Sequence, residues 1–464
     1  MAEIHPFRAF RYNPERVALK DVFTQPYDKV TPSMQERYYE ASPYNLIAVE
    51  KGKSLPGDTP ENNVYRRAAA KIEEWIAQRI LVQDNRPSLY VYSQEYFVPG
   101  GHTRRERIGF IALGRLEDYE ARIVFPHERT LSAPKTDRLE LLRHTQAQTG
   151  QLFMLYEDQA KRIDPLLEEV AAKAEPAEMR DEYDVTHRLW PVSDPGFVRR
   201  VQQEMADKKI VIADGHHRYE TALNYRNECR AKYGQGPSAG YEFAMMTFIN
   251  THGKGLTILP THRVIRNIPD FSFEAFRKEV SPFFDWYSYP FQNEDERTAS
   301  HKEFCKDFEN HKHGRRAIGI YARDSAFYLF LLRRSVDLEK LLPDISEAQR
   351  GLDVVLLHRL MLERGLGITP EAVNAEKNVV YEREMDAAIG AVDRGEAVLA
   401  CLLNPVRVEQ VMKIALGGDV LPQKSTDFYP KLLSGIAIYS INDRAGVPAL
   451  LRQPDPPRAT NPCI

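Results

Sequence analysis

Ile210-Val211-Ile212-Ala213-Asp214-Gly215-His216-His217-Arg218-Tyr219-Glu220-Thr221-Ala222-Leu223 decides how this chain is read. Three apolar β-formers run into an Asp-Gly turn, and helical spacing follows at once through Tyr219, Ala222, Leu223, Cys229 and Tyr233. A strand that breaks at glycine and feeds a helix leaves backbone N–H groups aimed at one spot, at the positive end of the helix dipole. Such a spot suits an anion. Here Asp214, His216, His217 and Arg218 surround it. Arg218 offers a fork of donors for phosphate, and each imidazole can donate an N–H. Asp214 can hold Mg²⁺ or accept a proton from an attacking hydroxyl. Adjacent histidines project apart, so a shared zinc is not expected. A plain Asp-Gly turn with Asp214 as a cap is the bland alternative. The stripe Tyr219/Ala222/Leu223 reads as core packing.

Around this stretch, 464 residues are too many for one ordinary core. The expected borders are 1–130, 131–270 and 271–464: an N-terminal α/β region, a core carrying the turn, and a C-terminal α/β region. Charged residues make up 28% and the net charge is −3, so there is no global basic field for nucleic acid. No apolar run reaches membrane length; the longest, Ala397 to Leu403, is a buried strand. The N-terminus lacks the basic and apolar regions of a secretory signal. Cys229, Cys305, Cys401 and Cys463 are scattered without a CxxC pair, which suits a reducing cytoplasm.

Upstream, Val64 to Ile80 reads as an amphipathic helix, and Ser88–Val98 with Glu106–Leu116 as a hairpin across Pro99-Gly100-Gly101-His102. Leu139–Gln148 and Pro165–Ala174 read as helices around a strand at Gln151–Tyr156. Asp194-Pro195 opens another helix to Asp207. Downstream, strands are expected at Phe243–Ile249, Leu256–Leu259, near 316–333, at Val398–Leu403 and at Gly435–Ile441. Helices are expected near 273–280 and 351–364 and at Val406–Ile414; the proline-rich tail from Arg452 is expected to be loose.

Further polar clusters stand at strand ends, where α/β folds gather ligands. They are Tyr27-Asp28 after Pro26, His127-Glu128-Arg129 after Pro126, Thr261-His262-Arg263 after Pro260, and Lys424-Ser425-Thr426 after Gln423. A lysine with paired hydroxyls suits phosphate, although each cluster alone is as readily a structural turn.

These same residues carry a resemblance. Over nearly its full length the chain resembles the bacterial and archaeal domain-of-unknown-function proteins often labelled ParB-like. The resemblance rests on Gln25-Pro26-Tyr27-Asp28, Pro126-His127-Glu128-Arg129-Thr130, Ala213 to Ala222, Leu259-Pro260-Thr261-His262-Arg263 and Gln423-Lys424-Ser425-Thr426. Gln25 stands where a second proline is usual, and Leu421 where a methionine is common before Pro422. The central turn resembles the ParB/sulfiredoxin motif, with His216 at the place of the sulfiredoxin cysteine. It also resembles the Asp-Gly-His-His-Arg turn of free-serine kinases.

The resemblance implies a ParB/sulfiredoxin-like nucleotide-binding core within a mixed α/β (α+β) chain. It further implies a Mg²⁺- and nucleotide-dependent phosphotransferase, using ATP, ADP or CTP on a small hydroxyl metabolite, with serine a candidate acceptor. Asp214, His216 and Glu128 are then the catalytic candidates, Asp28 being an alternative second acid, and Asp214 the metal ligand. Gly215, His217, Arg218, Lys424, Ser425 and Thr426 would hold nucleotide phosphates; Tyr27, Asp28, His127, Arg129, Thr261, His262 and Arg263 would face substrate. The expected partners are nucleotide and small molecule, not nucleic acid or membrane, with a homodimer open to it. A ParB-like nucleotide-binding or DNA-associated protein without turnover, and a phosphomonoester phosphatase, are the competing readings.

Overall fold

The computed structural model describes residues 2–128, 133–236, 238–312 and 314–442, without the side chains of 133–135. The chain is mixed α/β, and it divides into two compact units. One comprises 1–124, 131–255 and 431–464, the other 125–130 and 256–430. The border expected at 130 falls where the chain re-enters the first unit, so the regions before and after it belong to one unit, and the border expected at 270 falls inside the second. Residues on both sides of 130 pair into one sheet, and the chain returns to that sheet from Lys431 onward.

The first unit is built on a mixed sheet. Its strands run in the order Ile210–Asp214, Leu152–Tyr156, Phe243–Asn250, Arg104–Arg115, Leu89–Phe97, Thr186–Val192 and Ala177–Arg180. All neighbours are antiparallel except Leu152–Tyr156 with Phe243–Asn250. The alternation of strand side chains divides the sheet into two chemically different faces. Val91, Phe110, Leu152, Met154, Ile212, Met246 and Phe248 lie in one core with residues of the helices Asp164–Lys173, Pro195–Met205 and His216–Tyr233. Tyr219, Ala222 and Leu223 belong to this core, as their spacing predicts, whereas Tyr233 is 66% exposed at the helix end. Asp194 caps its helix by accepting from the Phe197 N–H at 2.7 Å.

The opposite face sets buried polar groups among apolar side chains such as Ile111, Phe153, Met245 and Ile249. Tyr92 hydroxyl and His187 Nδ1 lie 2.6 Å apart, Arg107 donates to Gln94 Oε1, and Thr247 donates to Gln151 Oε1. The segment from Lys431 crosses this face. Gln94 Nε2 donates to the Lys431 carbonyl at 2.8 Å and Gln151 Nε2 to the Leu433 carbonyl at 3.2 Å. The Gly435 N–H donates to the Thr149 carbonyl at 2.8 Å. The strand expected over Gly435–Ile441 is reduced to Tyr439–Ser440, paired with Ala147–Gln148. Isolated backbone bridges of Ser434 with Thr24 and Ile438 with Phe10, together with buried amides of the sheet, hold the rest of this segment.

The second unit holds a six-stranded antiparallel sheet: Phe284–Pro290, Ala326–Leu332, Ala317–Tyr321, Leu399–Leu403, His262–Ile265 and Val379–Glu382. Helix Phe273–Val280 and the π-helical turn Leu357–Gly365 belong to the core on one side; Glu294–Asn310 and Met385–Asp393 belong to the core on the other. Glu294–Asn310 is a helix that hydropathy did not predict, since only Phe304 and Phe308 are buried along it. Its local signals are the Asn293 cap on the Glu296 N–H and three acidic residues in its first turn.

Candidate functional site

At Asp214 the ladder with Leu152–Tyr156 slips. Ile212 faces Met154 but Asp214 faces Phe153, so Ala213 is the extra residue of a bulge. A bulge re-aims the side chain that follows it, and here that side chain is Asp214. Gly215 follows with φ of +93°, a left-handed conformation that glycine adopts at no steric cost. A Cβ there would stand 3.1 Å from Leu152 Cδ2 and 3.2 Å from Arg218 Nη2. The 18-residue helix His216–Tyr233 starts immediately, with Gly215 as its N-cap. His216 is buried and His217 half-buried in its first turn.

Lys431 closes this turn. Its Nζ donates to Asp214 Oδ2 at 2.7 Å, and the two side chains are 11% and 23% exposed. Burial works against the Asp214 charge, but Lys431, Arg218 and Lys29 overcome it and hold the carboxyl well below the usual carboxylate range. Because the folded-state value is depressed, the pair stabilises the protein above the ordinary carboxylate pKa of about 4, and loses that effect as pH falls through the lowered value. Lys431→Met should therefore cost about 3 kcal/mol near neutrality. Denaturant titrations at a series of pH values should show the gap to wild type closing in acid. A gap unchanged down to acid pH would contradict the pairing.

Arg218 turns back into the sheet, donating from Nη1 to the Gln151 carbonyl at 2.5 Å. Gly150 makes room for it: a Cβ there would lie 2.9 Å from Arg218 Nη1, 3.1 Å from Ser434 Oγ and 3.6 Å from Glu50 Oε1. Glu50, itself buried, accepts from the Thr149 hydroxyl, and its carbonyl accepts from Arg138 Nη1 at 2.7 Å. Arg138 lies 4.4 Å from the centre of the Tyr27 ring. Burial foremost pushes the Tyr27 phenol up to about 12, with Asp28 adding to the rise and Arg218 and Arg138 opposing it. A pocket beside the turn has Leu141, Leu152 and Ala222 as apolar wall, with Glu50, Arg138, Thr149 and Arg218 as polar wall. The buried Thr221 hydroxyl on this wall has no hydrogen-bond partner.

The first unit thus brings together Tyr27, Asp214, Gly215 and Arg218 from distant parts of the sequence. Asp28 and Lys29 follow Tyr27 as exposed residues. In the sequence Lys431 and Arg138 trail polar clusters without an assigned role, and Glu50 carries no signal that singles it out. Lys431 stood five residues beyond Thr426, but nothing in its spacing linked it to Asp214 across 217 residues.

The remaining candidates lie in the second unit and form their own cluster. His127 Nε2 and Thr426 Oγ1 are 2.7 Å apart. The Lys424 N–H donates to Glu128 Oε1 at 2.7 Å, Lys424 Nζ to Glu376 Oε1 at 3.0 Å, and Ser425 Oγ to the Pro422 carbonyl at 2.5 Å. Glu128 thus occupies the backbone donor of this loop. Arg263 is buried and donates to the carbonyls of Thr261, Gln423 and Lys424, bracing the loop from below. His262 lies inside the sheet, its Nδ1 accepting from the Leu403 N–H at 3.1 Å. Burial and then Arg263 push its pKa down to about 4, so the ring is neutral at neutral pH. Arg129 lies outside the described residues.

The groups around Asp214 do not fit a magnesium site. Mg²⁺ needs a shell of oxygen ligands, with carboxylates carrying the charge. Asp214 instead faces Lys431, Arg218 and Lys29. Among the described residues, no group of three or more His, Cys, Asp or Glu side chains is placed to hold a metal ion. No described helix is long and apolar enough to cross a membrane.

A family model described as "Protein of unknown function (DUF1015)" matches residues 4–355, well over half of the chain. The chain belongs to this family. The DUF1015 match ends before Lys431, so the partner of Asp214 lies beyond it. No match was found among curated proteins. Among solved structures, a conserved hypothetical protein from Pyrococcus furiosus is 14% identical, with 68% of this chain and 91% of that one covered at a TM-score of 0.33. A free serine kinase in complex with AMP is 12% identical, with coverage of 68% and 89% and a TM-score of 0.33. SbnI with C-terminal truncation, from Staphylococcus aureus, is 8% identical, with coverage of 72% and 89% and a TM-score of 0.34. Likeness at this level says nothing about the geometry of the site.

Proposed function

We propose that this protein is a phosphotransferase that binds a nucleotide at the 214–218 turn and transfers its phosphoryl group to a small hydroxyl compound, with serine a candidate acceptor. The observation that carries the reading is the ionised Asp214 beside Lys431 and Arg218, at the start of a helix whose N-cap is a glycine. Phosphoryl transfer asks a protein mainly for position and for charge to match the transferring oxygens. Lys431, Arg218, Lys29 and the first-turn N–H groups of the helix would supply the positive charge. Asp214, kept as an anion, would accept a hydrogen bond from the acceptor hydroxyl and orient it toward the phosphorus.

Gly215 would let the backbone approach the phosphates, in the manner of the Gly-x-x-Arg cradle of ParB/sulfiredoxin-type turns. The pocket walled by Leu141, Leu152 and Ala222 would take the apolar part of a ligand whose charged end reaches Arg218. The positive charge at this turn would come from Lys431, Arg218 and Lys29, which surround Asp214 in place of further oxygen ligands.

The test is consumption of ATP, ADP or CTP against a panel of hydroxy amino acids and other small alcohols. Donor loss that requires one acceptor and yields its phosphomonoester would establish the reading. Tight nucleotide binding without acceptor-dependent loss would replace it with a nucleotide-binding protein that turns nothing over. Hydrolysis of phosphomonoesters without a nucleotide would replace it with a phosphatase.

A further inference from the structure

The second unit contains a cluster that the proposed function does not use. On helix Glu294–Asn310, His301 and Cys305 are four residues apart and therefore stand one above the other on the same face. Cys305 Sγ lies 3.4 Å from His301 Nε2 and 3.8 Å from Met385 Sδ. Met385 is the first residue of helix Met385–Asp393, and both helices contribute to one apolar core. Phe304 and Phe308 anchor one helix in that core, and Ala388 and Ile389 the other. A nitrogen, a thiol sulfur and a thioether sulfur thus meet at the edge of a packed core, all three residues half-buried.

We infer that His301, Cys305 and Met385 form a binding site for a soft monovalent metal ion, of which Cu(I) is the natural case. Three donors held at about 2.0–2.3 Å from a common ion are separated from one another by about 3.4–4 Å. The two distances at Cys305 are of that size. The thioether decides the class of metal, since thiolate and thioether donors favour Cu(I), whereas hard cations take oxygen. A thioether also lies outside the His, Cys, Asp and Glu sets that suit harder metals.

In the metal-free chain the Cys305 thiol donates toward Met385 Sδ. Binding then replaces the S–H bond by an S–Cu bond and releases one proton to solvent. No electron moves, and apparent affinity rises with pH.

The experiment is an anaerobic Cu(I) titration of the full chain carrying Cys463→Ser, against a chromogenic Cu(I) chelator, with sulfur and nitrogen ligands counted by X-ray absorption. One equivalent should bind with mixed nitrogen and sulfur ligation. Cys305→Ser should abolish that binding, and Met385→Leu, which conserves volume, should weaken it by about tenfold or more. Binding that survives Cys305→Ser would overturn the proposal. So would equal affinity in Met385→Leu and its parent, or absence of any bound equivalent.

Discussion

Asp214→Asn is expected to lower acceptor-dependent turnover by on the order of 10³-fold or more while nucleotide affinity stays within a few-fold of wild type. The amide keeps the shape of the side chain but loses the charge that Lys431 and Arg218 hold in place. An acceptor hydroxyl then lacks the anion that orients it, whereas the backbone groups proposed to hold phosphate are untouched. Steady-state kinetics paired with calorimetric binding separate the two effects. A variant that lost nucleotide affinity and turnover in equal measure would place Asp214 in ground-state binding, not in the transfer step.

The second large effect is expected at Gly215. Gly215→Ala must adopt a φ near +93° and bring a methyl group to 3.1 Å from Leu152 Cδ2 and 3.2 Å from the Arg218 guanidinium. The left-handed conformation and the crowding together should destabilise the first unit by about 1–3 kcal/mol. Leu152 is buried in the sheet core, so Arg218 is the group that moves. Nucleotide affinity should therefore fall by about tenfold or more, beyond what the loss of stability accounts for. Urea titration gives the first quantity and calorimetry on the folded variant the second. Unchanged affinity in a destabilised but folded variant would remove Arg218 and the turn from the binding site.

How far the site could be read from sequence depends on the range of the interactions that build it. The strand, glycine and helix at 210–233 were legible because each is a local matter: β-branched residues, a turn pair, and a 3.6-residue apolar spacing. The hairpin of Leu89–Phe97 and Arg104–Arg115 was legible for the same reason. The bulge at Ala213 was not, since it depends on register against Leu152–Tyr156, which no local pattern encodes.

Lys431 illustrates the larger gap. Its contact with Asp214 exists because the chain crosses the sheet face that carries buried polar groups and is caught there by Gln94 and Gln151. Those two side chains look like ordinary strand polar residues until their carbonyl partners are known. Glu50 was missed because Gly150, which leaves room for it and for Arg218, lies in a stretch read only as the lead into a strand. The motif clusters at Glu128 and Lys424 were visible in sequence, but their mutual hydrogen bond was not. Helix Glu294–Asn310 escaped because two buried phenylalanines form too thin a stripe to register as a period.

The most direct test of the central claim is calorimetric titration of ATP and ADP into wild type and Arg218→Met, with folding of both checked by circular dichroism. The account predicts measurable binding by wild type and a loss of about tenfold or more in the variant, because one guanidinium is removed from the proposed phosphate cradle. Equal affinities in two folded proteins, or no nucleotide binding by wild type, would contradict it.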